Sequence, residues 1–369
     1  MRSDKARRQR RRSALLVGAA SLAVMVPSPL TRAQAATTCQ PLTTTAPLPV
    51  VTAADAGRVV MAALPGPTLD TATRRLITQR RLGGVLLFGR SVRTRAQLGA
   101  LDAAIHRAAG AGRIVIATDQ EGGTVRRVAF AGPRPSARGQ APLGTTRLRS
   151  LWASAGRQLR AVGIDLDLAP VADLGLPGSF EGTRTFAATP GVVGPLVAAA
   201  THGLRDGRVG ATAKHFPGLG GTRRSTDDAV VRGRPVTDAA LRPFRAAVAA
   251  GVPVVMVDLA VHPGLGSRPA ALAAPAYALL RHELHFRGVA MTDALDAVAA
   301  RKVGSEAQTA VAALCAGADM VIAPGPPATA ASVIDAIAAA VRSGRLPHAR
   351  FAEAVARVDR LARHPAAAP

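Results

Sequence analysis

The stretch RIVIATDQEGGTVRR, residues 113–127, is apolar from Ile114 to Ala117 and then turns polar and glycine-rich. An apolar run this short, without alternation, reads as a strand buried on both faces. The same unit recurs along the chain. Apolar runs lie at 58–64 (RVVMAAL), 84–89 (GVLLFG), 113–119 (RIVIATD), 164–173 (IDLDLAPVAD), 211–218 (ATAKHFPG), 253–261 (PVVMVDLAV), 288–294 (GVAMTDA) and 318–325 (ADMVIAPG). The stretches between them have helical period. Leu148, Leu151, Trp152, Ala155, Leu159 and Val162 fall on one helical face. Glycine precedes many of the runs (Gly83, Gly112, Gly163, Gly210, Gly251, Gly288, Gly317), as expected where a helix ends in a left-handed turn. Eight such units over one chain predict a single-domain α/β fold, a (β/α)8 TIM barrel. A doubly wound open sheet is the competing architecture, but its first turn usually reads G-x-G-x-x-G. Here the first run is followed by PGPTLD.

Composition supports a folded globular chain. Of 369 residues 48% are hydrophobic and 19% charged, and asparagine is absent. The formal net charge is +24, part of it from Lys5 and seven arginines within residues 1–35. With only 3% aromatic residues there are few platforms for stacking bases, so nucleic acid is not the expected partner. A solubilising arginine surface is the plain reading, and an anionic envelope polymer as neighbour is the alternative.

The N-terminus has the pattern of a secretory signal. MRSDKARRQRRR precedes an apolar run from Ala14 to Val26, then Pro27 and the small-residue site Ala33-Gln34-Ala35. Thirteen residues are too few to span a bilayer, which takes about 20. Residues 1–35 are therefore expected to direct export by the general or twin-arginine route, leaving a secreted or extracytoplasmic protein without stable membrane insertion. Residues 36–50 read as a Thr/Pro-rich linker, 51–363 as the catalytic domain and 364–369 as an unstructured tail. Cys39 and Cys315 permit one disulfide after export. The pairing cannot be read from sequence, and the neighbours Leu314 and Ala316 favour a buried small apolar residue at Cys315.

Barrel enzymes gather catalytic groups at the C-terminal ends of their strands. The unusual polar residues of this chain fall there: Asp119, Glu121 and Arg127 after the third run, Arg184 in the loop after the fourth, and Lys214-His215 ending the fifth. Asp258 follows the sixth, and Asp293 and Asp296 follow the seventh. Asp296 reads as a helix cap, and Asp173 and Asp258 as structural carboxylates.

Taken in order, GGVLLFGR, ATDQEGGTVRR, DLAPVAD, TRTF, AKHFPG, GVAMTDALD and AGADMVIAPG resemble the N-terminal catalytic domain of glycoside hydrolase family 3. The nearest branch is that of the single-domain β-N-acetylhexosaminidases, and the likeness covers about residues 55–360. The resemblance implies a retaining exo-glycosidase acting on N-acetylglucosamine-containing oligosaccharides or cell-wall fragments, with no cofactor or metal. Asp293 in TDAL would be the nucleophile, forming a covalent glycosyl-Asp intermediate. Asp119, Arg127, Arg184, Lys214 and His215 would hold the sugar.

One segment departs from that branch. Its members follow KHFPG with a His, a Gly-Asp-Thr and an Asp-Ser-His triplet that supplies the acid/base dyad. Here the loop reads LGGTRRSTDDA: Leu219 replaces the first His, Gly221 the Asp, and Ser225-Thr226-Asp227 the triplet. Asp227 then becomes the expected acid/base, with Asp228 second, their adjacency raising the proton affinity of one of them. The altered loop also motivates a different class, a non-catalytic or impaired sugar-binding relative. A Schiff-base lyase using Lys214 would leave DQEGG and TDAL without a role. A metal hydrolase is disfavoured because His215 has no second histidine at ligand spacing.

Overall fold

The computed structural model describes residues 51–369. The expected signal segment and linker, residues 1–50, lie outside the described residues. Among the described residues ten strands occur: β1 Val60–Ala63, β2 Gly84–Leu87, β3 Val115–Thr118, β4 Gln120–Gly122, β5 Val125–Arg126, β6 Leu166–Asp167, β7 Gly210–Phe216, β8 Val254–Val257, β9 Val289–Ala294 and β10 Met320–Ala323. Eight of them close into a parallel barrel in the order β1-β10-β9-β8-β7-β6-β3-β2. All eight runs read as strands form it. The pairing Val60↔Val321 joins the first strand to the last. Strands β4 and β5 form a separate antiparallel hairpin directly after β3, a feature missed in a segment whose glycines read as loop.

The apolar runs alternate after all. Met61, Val115, Ala117, Val254, Met256, Met291, Met320 and Ile322 fill the barrel interior. Their neighbours Val60, Ile116, Val255, Val257 and Val321 pack outward against the helices. Both faces are dry, so both sets must be apolar, and the period of two is hidden from composition. The helix His348–Arg363 closes the N-terminal mouth of the barrel, with Val358, Leu361 and Ala362 packed on the interior cluster.

Of the glycines before the runs, Gly163, Gly251 and Gly317 adopt positive φ. Gly83 is required for a different reason: a Cβ there would stand 2.0 Å from the Arg58 carbonyl oxygen. Residues 364–369 carry no helix or strand, yet they are packed: the Pro365 carbonyl lies against Gly210 and the Ala368 side chain against Gly251. Cys315, in the last turn of the helix Glu306–Ala316, is half-buried and disulfide-bonded rather than a buried apolar filler. The other cysteine of the sequence, Cys39, lies outside the described residues. No helix among the described residues is long and apolar enough to cross a membrane.

Candidate active site

A cavity of about 320 Å³ opens at the C-terminal ends of the barrel strands, within the usual range for small-molecule sites of ~300–1,000 Å³. Asp119, Arg127, Arg184, Lys214, His215, Asp227 and Asp293 all line it. Each reaches it for a local reason.

Asp119 ends β3, and the hairpin beyond it is stitched down by Gln120. That buried amide accepts from the Val128 N–H and donates to the carbonyls of Val128, Ala131 and Gly132. Gln140, fixed by the Trp152 indole N–H at 2.9 Å, holds the Glu121 carbonyl. Glu121 is thereby turned inward and buried. Arg184 grips it through two parallel hydrogen bonds of 2.8 and 2.9 Å. Lys214 Nζ bridges Asp119 at 2.7 Å and Glu121 at 2.8 Å. Burial alone would raise the Glu121 carboxyl, but the Lys214 and Arg184 charges outweigh it and hold it at about 2. Lys214 pays desolvation at 2% exposure, yet the two carboxylates keep its ammonium charged and raise its proton affinity. Arg127 is half-buried, and its Nε has no hydrogen-bond partner among the described residues. That Nε is buried, while the side chain as a whole lines the cavity.

His215 stands at the end of β7, where both the Lys214–His215 and Phe216–Pro217 peptide bonds are cis. Its Nδ1–H donates to Asp173 Oδ2 at 2.7 Å. The same carboxylate accepts the His215 and Leu219 backbone N–H groups at 3.0 and 2.7 Å. Asp173 is thus structural as expected, and its specific work is to aim the imidazole. A second carboxylate went unrecognised in the sequence. Glu181 is 2% exposed, and its Oε1 stands 3.3 Å from the same Nδ1. Neither Glu181 oxygen has a hydrogen bond of good direction. Burial, together with the Asp173 charge, raises its carboxyl to about 7, while the pair of acids raises His215 to about 10 against the cost of its own burial. Asp173, Glu181 and His215 offer three potential metal-donor atoms within 4.8 Å of one another. The Nδ1 proton lies among them. The signal in the sequence was a lone acid in SFEGTRTF, three residues before Arg184.

Asp258 is structural too. It binds His262 Nε2 at 2.9 Å and the Ala260 N–H, and His262 in turn reaches the Arg234 carbonyl.

Asp293, at the end of β9, is half-buried and accepts the Ala294 N–H at 2.8 Å. Burial raises its carboxyl, the His215 charge opposes this, and the Asp227 charge adds to it. Asp227 is exposed, at the tip of the loop after β7. That loop is docked on the start of the short helix Val298–Arg301: the Val298 N–H donates to the Asp227 carbonyl and the Ala299 N–H to the Thr226 carbonyl, both at 3.1 Å. These bonds correct the reading of Asp296. The helix has no side-chain cap because loop carbonyls satisfy its first donors. Asp296 is exposed and lines the cavity instead, its carboxyl raised first by burial and then by Asp227. Asp228 is exposed and does not line the cavity. Leu219, where the resembled branch has histidine, is buried with Ala229, Val231 and Ala260 and forms the dry base of the loop.

The site therefore combines four carboxylates around an open cavity (Asp119, Asp227, Asp293 and Asp296) with the cations Arg127, Arg184 and Lys214 and a rigid imidazole. Residues 48–361 match the family description "Glycosyl hydrolase family 3 N terminal domain". The chain is 33% identical over 313 residues to a beta-hexosaminidase of Nitrosomonas eutropha, covering 80% of this chain and 90% of that one. It is 32% identical over 331 residues to an uncharacterized secreted glycosyl hydrolase of Arthroderma benhamiae, covering 84% and 92%. The solved glycoside hydrolase family 3 beta-N-acetylglucosaminidase of Paenibacillus sp. FPU-7 superposes with a TM-score of 0.82 at 32% identity, over 86% of this chain and 63% of that one. A family match across the whole barrel, with homologous enzymes aligned along most of their length, makes this chain a glycoside hydrolase, a member of glycosyl hydrolase family 3.

Proposed function

We propose that the protein is an exported, retaining exo-β-N-acetylhexosaminidase that works through Asp293 with Asp227 as its acid/base. The observation that carries the reading is the shared cavity: Asp293 and Asp227 face one space whose floor is Asp119, Lys214, His215, Arg127 and Arg184. In the first step an Asp293 oxygen forms a bond to the anomeric carbon, the glycosidic C–O bond breaks, and the leaving oxygen takes a proton from Asp227. In the second step water attacks the anomeric carbon, Asp227 takes its proton, and the Asp293 ester bond breaks. The two carboxylates are electrostatically linked, since the Asp227 charge opposes ionisation of Asp293. Asp119 suits a pair of sugar hydroxyls, and the cations and imidazole donate to the others.

The substrate class, a terminal N-acetylglucosamine on an oligosaccharide or cell-wall fragment, follows from the hexosaminidase relatives. Export follows from the N-terminal pattern and agrees with the secreted relative. The domain is taken as residues 51–363. The test is release of nitrophenol from an aryl N-acetyl-β-glucosaminide, followed against pH. A second reading, a sugar-binding relative without turnover, is favoured by the loop lacking an imidazole. Calorimetric binding of N-acetylglucosamine with no release from even an activated glycoside would establish it instead.

A further inference from the structure

The closed end of the barrel holds a second cavity, about 650 Å³, opposite the one containing Asp293. Arg58, Arg81 and Arg113 enter it from the residues just before β1, β2 and β3, and Arg363 from the last turn of the closing helix. Its one acid is Asp359, which is paired with Arg58. Arg81, Arg113 and Arg363 are exposed and make no ion pair or side-chain hydrogen bond among the described residues. Burial lowers the proton affinity of Arg58, repulsion from Arg81 lowers it further, Asp55 opposes this, and Arg363 adds to the lowering.

Surface arginines elsewhere are partly neutralised, as in Arg149–Asp206 and Arg245–Asp238, and partly unpaired, as are Arg93, Arg147 and Arg268; what sets this group apart is that four guanidinium side chains line one cavity. Arginines that answer helix C-terminal or loop carbonyls bond to them, as Arg281 does to Phe286 and Gly288 and Arg205 to Ala250. Arg81, Arg113 and Arg363 do not. The cationic track also continues. Exposed Arg360 and His364, from the same closing helix, meet Arg287 at an adjoining hollow beside the start of β9.

We propose that this face is a docking site for a linear, base-free phosphate polymer, its phosphates spaced along Arg81, Arg113, Arg363 and Arg360. Guanidiniums that converge on one cavity bind phosphates through charge and paired N–H donors. No Phe, Tyr or Trp lines either hollow, so the site lacks the large platforms on which bases stack. A backbone polyanion without bases fits better than single-stranded nucleic acid. The polymer would hold the enzyme by its closed end and leave the Asp293 cavity open.

The test measures binding of inorganic polyphosphate to the full chain by fluorescence anisotropy across a salt series. It compares wild type with the triple variant Arg81→Ser/Arg113→Ser/Arg363→Ser and with a control, Arg93→Ser/Arg147→Ser/Arg268→Ser, that removes equal charge elsewhere. Losing three phosphate contacts should weaken binding at least about tenfold and reduce the slope of log K against log salt by roughly two to three. The control should stay within about twofold of wild type, and nitrophenol release should be equal in all three proteins. Equal weakening in both variants would show a general charge effect and overturn the site. So would tighter binding of single-stranded DNA than of polyphosphate at matched charge, or no weakening at all.

Discussion

The buried pair behind His215 makes stability depend on pH in a way that a single substitution should abolish. Glu181 holds its proton up to about 7 against an ordinary 4.5, because ionising it places a second negative charge beside Asp173 in a dry pocket. A group whose folded proton affinity is raised contributes stability that is complete below its ordinary value and is lost as pH climbs through the raised one. For Glu181 that window is pH 4.5 to somewhat above 7, and the loss across it is about 3 kcal/mol. His215 runs in the same direction over a later window, from 6.5 through about 10. Glu181→Gln is near-isosteric and cannot ionise. It should leave stability at pH 5 close to wild type and remove the Glu181 share of the decline between pH 5 and 8, leaving that of His215. Thermal unfolding at half-unit intervals of pH reads this as a difference in Tm. The variant should gain about 5 °C on wild type by pH 8 relative to pH 5. Parallel curves would mean that Glu181 does not titrate in the folded protein, and the described proton sharing would be wrong.

Three further outcomes follow from the same geometry. Asp227→Asn should slow hydrolysis of an unactivated N-acetylglucosamine disaccharide by about 10²–10⁴ and an aryl glycoside far less, because a good leaving group needs little protonation. If Asp296→Asn gives that pattern and Asp227→Asn does not, the acid/base belongs to Asp296. Lys214→Met should destabilise the protein by about 3–5 kcal/mol, since Asp119 and Glu121 lose the cation between them. An unchanged urea midpoint would contradict this. Arg127→Ala should raise KM with little change in unfolding temperature, its Nε being unbonded within the chain. A large stability loss with unchanged KM would make Arg127 structural.

The barrel was legible because each strand is dry on both faces and therefore writes itself as an unbroken apolar run. The residues that line the cavity were largely legible because most of them sit at the ends of those runs. What escaped reading depends on contacts between loops. Asp296 has the position of a cap, but the carbonyls of Thr226 and Asp227 reach the helix start first. Glu181 is sixty residues from Glu121 and thirty-four before His215, and only the packing of the loop after β6 against the end of β7 makes it a partner of the imidazole. The β4–β5 hairpin has two- and three-residue strands, too short for any period, and it is held by the buried amide of Gln120 more than by its own pairing. Gly83 was read as a helix terminator and is a point of backbone contact. In each case local sequence set the residue type, while a distant segment decided its use.

The central claim, that Asp293 is the group that attacks the sugar, is tested most directly by steady-state release of nitrophenol from an aryl N-acetyl-β-glucosaminide by wild type and Asp293→Ala. The variant's fold should be verified by an unchanged unfolding transition. Wild type should turn over, and loss of the nucleophile should cost on the order of 10⁴-fold or more in kcat. An Asp293→Ala protein that folds normally and keeps wild-type turnover would contradict the account.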